Sequence, residues 1–330
     1  MERLESLRRW LAACLGGQAF DLAPASSDAS FRRYFRVTFD RGNYIVMDAP
    51  PSHEDCRPFI KVARLFADAG VHVPRVLAED LAQGFLLLSD LGPVTYLSVL
   101  NESSARDLYL AANAAVVNIQ LASRPGELPP YDRELLLREL TLFPDWYVTK
   151  HLGHTLTDGQ AHLMNQAFER ILANNLAQPQ VYVHRDYHSR NLMVSDPNPG
   201  ILDFQDAVYG PITYDLASLY KDAYIRWEEE QVLDWVIRYW EAARKARLPV
   251  ATDFYEFYRD FEWMGAQRHI KVLGIFARLY HRDGKDAYLK DLPLVMGYLR
   301  KTCERYVELH PMRRLLDQLE NKAAQVGYTF

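Results

Sequence analysis

Between residues 180 and 212 a long helical text is broken once, by three short apolar runs, VYVHRD, NLMV and GILDFQD, each ending at a polar group. Runs this short read as strands rather than helices. DPNPG, residues 196–200, is the chemistry of a tight hairpin between the last two runs. This segment therefore constrains the chain to present polar side chains at strand ends, within a half that is otherwise helical. Upstream, residues 31–92 alternate short strands with turns: FRRYFRVTF, a turn at DRGN, YIVMDA, a helix near 55–70, HVPRVLAED, a turn at LAQG, and FLLLSDLG. The expectation is an α+β fold of two lobes. Residues 1–92 form a small antiparallel-sheet N-lobe with one helix behind the N-terminal helix, and residues 93–330 form a larger, mainly helical C-lobe. SDLGPVTYLSVLNES, residues 89–103, is the expected hinge.

Two lobes also suit the length. Single cores stop growing near ~250–300 residues, and the chain has 330. With 49% apolar and 25% charged residues it has the balance of a soluble globular protein. A net charge of −5 offers no clustered basic footprint, so no nucleic-acid partner is expected. No apolar run approaches the length of a membrane span, and MERLESLRRWLAACLGGQAF spreads Leu4, Leu7, Leu11 and Leu15 at helical spacing rather than in a signal-like block. A cytoplasmic protein without a membrane partner is expected. Cys14, Cys56 and Cys303 show no metal or redox spacing and are read as buried free thiols.

Asp186, Asn191 and Asp203 have the composition that phosphoryl transfer needs: a carboxylate to accept the proton of the attacking hydroxyl, and an amide with a second carboxylate to hold Mg²⁺ on the phosphates. Asn lies five positions after Asp186, and the second Asp follows the hairpin, 203 − 186 = 17 positions on. Each residue alone would equally well shape a turn; the three in order, at strand ends, carry the functional reading. Asp215, in GPITYDLASL, is read as structural, capping its helix or anchoring the catalytic loop through backbone N–H groups. His184 is read as a brace of that loop. His188, Arg190 and Gln205 point toward an acceptor site, with surface solvation an equal account of all three.

VHRDYHSRNLMV, GILDFQDAVYGPITYDLASL and FLLLSDLG together resemble the aminoglycoside phosphotransferase family, relatives of the protein kinase fold, over roughly residues 20–300. SDASFRRYFRV, YIVMDAPP and QRHIKVLGIFARL are most similar to the family's anomeric amino-sugar kinases of peptidoglycan recycling. The resemblance implies a protein-kinase-like fold, ATP and Mg²⁺ as cofactors, and an amino sugar phosphorylated at its C1 hydroxyl. It implies Asp186 as base, Asn191 and Asp203 as magnesium ligands, and a hinge at Ser89, Asp90 and Leu91 whose backbone meets adenine. Three departures stand out. Met47 replaces the expected phosphate-binding Lys. PASSDASFRRYF has no glycine, leaving Ser26, Ser27, Ser30 and backbone N–H groups to cradle phosphate. Gln205 stands where protein kinases have glycine. Arg32 or Arg33 could restore the lost charge, Arg33 being preferred, with a solvated strand edge as the competing account.

Residues 253–284 read as one helix carrying Glu262, Trp263, Gln267, Arg268, His269 and Lys271. Trp263 is the candidate sugar platform, although core packing is the commoner role of such aromatics. A lactyl carboxylate on the acceptor would call for a cation, and Arg185, Arg190, Arg268 and Lys271 are all eligible. Two other functions fit the same motifs. An aminoglycoside or choline kinase would need an acid-lined pocket, which EWMGAQRHIKVLG does not supply, and a pseudokinase scaffold would have no need of all three oxygen-bearing residues.

Overall fold

The alternation in residues 31–48 and the apolar run at 85–89 build a sheet because their side chains can be divided between a buried and an open face. The computed structural model describes residues 2–26, 31–40 and 42–320. Strands β1 (Asp21–Ser26), β2 (Arg33–Phe39), β3 (Gly42–Asp48), β4 (Val76–Asp80) and β5 (Phe85–Ser89) form an antiparallel sheet in the order β1-β2-β3-β5-β4. Helix α1 (Glu2–Cys14) buries Leu7 and Leu11 fully against Val37, Val46, Phe85 and Leu87. Each such side chain contributes about 1.5–3 kcal/mol on leaving water. Helix α2 (Arg57–Asp68), begun by Pro58 in its first turn, turns Phe59, Ile60, Val62, Ala63 and Phe66 inward.

Strand β1 was not expected from the sequence. It contains Pro24, which cannot donate to a ladder, and it takes the position where Pro is tolerated, the sheet edge. After β5 come α3 (Tyr96–Val99) and α4 (Ala105–Leu121), then α5 (Arg133–Leu142), which runs directly into a π-helix at Phe143–His151, and α6 (Asp158–Ala177). The interruption at 180–212 yields four strands rather than three: β6 (Gln180–Val183) pairs with β9 (Val208–Pro211), and β7 (Leu192–Met193) with β8 (Gly200–Ile201). The rest is helical: α7 (Tyr214–Tyr220), α8 (Glu229–Lys245), α9 (Phe254–Asp283), α10 (Leu292–Arg305) and α11 (His310–Leu319). The expected helix over 253–284 is α9, with Asp253 accepting from the N–H groups of Tyr255 and Glu256 and Gly284 ending it at φ 66°.

Packing groups these elements into two units, Met1–Ala122 with Arg190–Ala207, and Ser123–Ser189 with Val208–Phe330. A boundary was expected at residue 92; by packing, α3, α4 and the β7–β8 hairpin go with the sheet. Cys56 and Cys303 are buried free thiols as expected, whereas Cys14, at the last turn of α1, is exposed.

Candidate active site

In the second unit, β6 delivers the chain to a loop pinned at several points. Asp215, fully buried in the first turn of α7, accepts the backbone N–H groups of His184 (2.7 Å) and Arg185 (3.0 Å). His184 Nδ1 accepts the N–H of Asp186 at 3.2 Å, and the His188 N–H donates to the Asp186 carbonyl at 3.0 Å. The anchoring role expected of Asp215 and the bracing role of His184 are both present. Arg185 takes a left-handed backbone, φ 76°, a conformation costly for a side chain and concentrated at functional loops.

The Arg185 side chain turns to Glu139 of α5 at 2.5 Å, and Lys271 of α9 reaches the same carboxylate at 2.9 Å and the Tyr214 hydroxyl at 3.0 Å. The Tyr131 hydroxyl also donates to Glu139. Burial pushes the Glu139 carboxyl up, but Lys271 and Arg185 outweigh it and hold the group below the usual carboxylate range. Arg185 and Lys271, both eligible in sequence for an acceptor carboxylate, are therefore engaged within the protein. Glu139 had no local sequence signal; only the tertiary fold brings α5 behind the loop.

Asp186 is half-buried. Burial raises its pKa, yet the charges of Lys271, His188, Arg268 and Arg185 prevail and lower it below the ordinary value. The carboxyl is thus ionised throughout the neutral range. On its far side the loop is held by Asp222, fully buried, which accepts from the Ser189 N–H (3.0 Å) and the Ser189 hydroxyl (2.5 Å). Asp222 is a second positioning residue that sequence reasoning missed. His188 is buried, its ring edge-on to Tyr224 with centroids 5.5 Å apart.

The acceptor wall expected on α9 is mostly filled by the protein itself. Glu262 receives Lys221 (3.1 Å), Arg305 (2.8 Å) and the Tyr306 hydroxyl (2.8 Å), and Gln267 donates to the Leu136 carbonyl at 2.9 Å. Trp263 is 2% exposed, with Arg259 over its ring at 4.8 Å and Tyr306 edge-on at 5.9 Å. It offers no open face to a sugar; the packing role prevailed because both sides of the ring already have partners. His269 stacks on Tyr298, centroids 5.1 Å apart, and burial, then the Lys221 charge, holds it neutral. Arg268 is 4% exposed and none of its nitrogens has a hydrogen-bond or ion-pair partner among the described residues; Nη1 is sealed from solvent.

In the first unit the β7–β8 hairpin brings Asn191 and Asp203 together. The Asn191 amide donates to Asp203 Oδ2 at 3.3 Å, the Leu202 N–H donates to the Asn191 carbonyl at 2.9 Å, and Gln205 Nε2 donates to Asp203 Oδ1 at 2.8 Å. Asp203 is left-handed, φ 62°. Phe204 beside it is fully buried between Phe59 and Phe66 of α2, centroids at 4.8 and 5.9 Å, which seats the carboxylate. Gln205, expected at the acceptor, instead steadies Asp203. Arg190 is exposed. An amide oxygen and a carboxylate side by side are the hard donors Mg²⁺ prefers. Because no group of three or more His, Cys, Asp or Glu could hold a metal among the described residues, an ion here would complete its shell with phosphate oxygens and water.

Met47 is fully buried in β3, paired with Tyr34 and Leu86, so that position holds no cation. Its neighbour Asp48, also fully buried, receives Arg3 at 2.6 Å and Arg33. Arg32 is bound to Glu54 at 2.9 Å. Both arginines considered for the phosphates are held by carboxylates, Arg33 because the sheet had a buried acid, Asp48, to neutralise. Ser27 and Ser30 lie outside the described residues. At the hinge, Asp90 accepts from Arg36 (2.6 and 3.1 Å) and from the Gly92 N–H (2.9 Å), and the Ser89 hydroxyl accepts from the Arg75 N–H (2.8 Å). These side chains shape the hinge, and the backbone of Leu91 carries no hydrogen bond among the described residues.

Comparison with known proteins accords with this chemistry. The model of a phosphotransferase enzyme family (APH) matches residues 21–254. The chain is 52% identical over 336 residues to the N-acetylmuramate/N-acetylglucosamine kinase of Neisseria meningitidis serogroup B, covering 100% of both. It is 49% identical to the protein so named in Pseudomonas aeruginosa, covering 97% of this chain and 98% of that one. In fold it is similar to a choline/ethanolamine kinase family protein from Mesorhizobium loti (TM-score 0.64, 17% identity, 94% of this chain and 99% of that chain). It is likewise similar to the ADP-bound aminoglycoside phosphotransferase APH(2'')-Ib (TM-score 0.60, 14% identity, 91% and 98%).

Proposed function

The chain belongs to the phosphotransferase enzyme family, and from that premise we propose that it is a cytoplasmic, ATP-dependent amino-sugar kinase. In this reading it transfers the γ-phosphate to the C1 hydroxyl of N-acetylmuramate or N-acetylglucosamine. The observation that carries the proposal is the end-to-end identity of about half the residues with two relatives named for those sugars. Such a match leaves no large insertion or lost lobe through which the acceptor could have changed.

Asp186 accepts the proton of the attacking hydroxyl; a carboxylate of lowered pKa is a weak base, and a C1 hydroxyl, more acidic than an ordinary alcohol, suits it. Asn191 and Asp203 are the residues that would hold magnesium, which when bound neutralises charge on the transferring phosphate. Arg185 and Lys271 hold Asp186 in an ionised setting through their own engagement with Glu139. The adenine would meet the hinge backbone at Ser89–Leu91. Positioning and fixed charge supply most of the rate in such a site. An assay of magnesium-dependent ATP consumption against a panel of N-acetylmuramate, N-acetylglucosamine, their 1-deoxy analogues, choline and an aminoglycoside tests the proposal. Turnover of the two reducing sugars and none of the 1-deoxy analogues is expected; turnover of choline or the aminoglycoside in preference to both sugars would overturn it.

A further inference from the structure

We infer that Arg268 is the carboxylate-recognition point of the acceptor site, the residue that separates a lactyl-bearing amino sugar from its neutral counterpart. The inference rests on the sugar-kinase reading above. Among the described residues, the other buried Arg and Lys side chains have protein carboxylates: Lys221 has Glu262, and Lys271 has Glu139. The half-buried Arg185 also has Glu139. Arg268, 4% exposed in the middle of α9, has none.

A guanidinium so enclosed needs an anion. The charge of Arg268 acts on Asp186 and on Asp215, so it stands near both, but neither is a substitute partner. Asp215 already gives its two oxygens to the His184 and Arg185 N–H groups. Asp186 must keep an oxygen for the hydroxyl it deprotonates. The unfilled donors of Arg268 thus await a group that arrives with the substrate, and a planar fork matches a carboxylate in two parallel bonds. N-acetylmuramate carries its lactyl carboxylate on C3, two ring carbons from the reacting C1 hydroxyl. An anion-binding group near Asp186 therefore suits the substrate's own geometry, whereas N-acetylglucosamine has only a hydroxyl at C3.

The test compares kcat/KM for the two sugars in the unmodified protein and in Arg268→Met. The ratio of lactyl to neutral sugar is expected to fall at least tenfold in Arg268→Met, and by less in Arg268→Lys, which keeps the charge and loses the fork. A ratio, unlike a rate, does not depend on the fraction of folded enzyme. Should Arg268→Met not fold, the unmodified protein is given N-acetylmuramate and its lactyl amide, and KM is expected to rise at least tenfold for the amide. An unchanged ratio, or equal KM for acid and amide, overturns the assignment of Arg268. Failure of the unmodified protein to phosphorylate either sugar would overturn the sugar-kinase reading instead.

Discussion

A carboxylate that serves as a base must be both ionised and held still, and in this chain different neighbours meet those two needs. Cations lower the pKa of Asp186, while Asp215, His184 and Asp222 fix the backbone around it. Replacement of Asp186 by Asn keeps the shape and removes the base. Turnover is expected to fall about 10²–10⁴-fold, with a far-UV circular dichroism spectrum like that of the parent; a loss of less than tenfold would show that Asp186 is not the base. Asp215 makes a separate statement about stability. Burial, aided by the Asp186 charge, pushes its pKa up to about 7, against the N–H groups of His184 and Arg185 and the Arg268 charge. The folded chain then holds a proton that the unfolded chain releases near its ordinary 3.8. The stabilisation is complete below that value and is lost as pH rises through about 7. Unfolding free energy measured in urea from pH 4 to 8 is expected to decline less steeply in Asp215→Asn; an identical slope would contradict the assignment. At this scale the sequence was most legible where a residue's partner is local. Asp186, Asn191, Asp203 and His184 lie on one short segment and its hairpin, and Asp215 opens the helix that follows. Glu139 acts on that segment from α5 and Asp222 from the loop after α7, and Arg33 was drawn to a buried acid, Asp48, that spacing could not show to be buried.

Helix α9 lies against the junction of α5 with the π-helix, and one residue permits the approach. A Cβ placed on Gly274 would stand 2.4 Å from both the carbonyl carbon and the oxygen of Leu142. Because the obstacle is backbone, the helices must separate or tilt to admit even one methyl group. Gly274→Ala is expected to destabilise the chain by about 1–3 kcal/mol, a fall in melting temperature of roughly 3–10 °C by calorimetry; an unchanged or raised melting temperature would contradict the close approach. The same α9 positions Arg268 and Lys271, so loss of acceptor affinity should accompany it. Elements with one clear period were readable: the alternating strands β2 and β3, α2 with its apolar face, and α9 with its Asp253 start and Gly284 stop. Strands β1 and β9 were not. Both contain Pro, and VYGP also contains Gly, so neither shows a strand pattern until an edge position or a neighbouring strand supplies the reason. The π-helix at Phe143–His151 escaped for another reason: local apolar spacing does not distinguish it from the helix that precedes it.

At the scale of the whole chain, length and pattern were enough for a sheet-bearing part and a helical part, because a long chain cannot maintain one core and each part has its own period. They did not foretell that residues 190–207 pack with the sheet, since that grouping depends on Phe204 entering the apolar face of α2. No described helix is long and apolar enough to cross a membrane. The proposed reaction forms one bond, between the phosphorus of the transferred group and the oxygen on C1 of an amino sugar. Phosphorus NMR of the product formed from ATP and N-acetylmuramate tests it directly. A phosphate resonance coupled to the anomeric proton is expected; a phosphate coupled to the C6 protons, or no sugar phosphate at all, would contradict the proposed transfer.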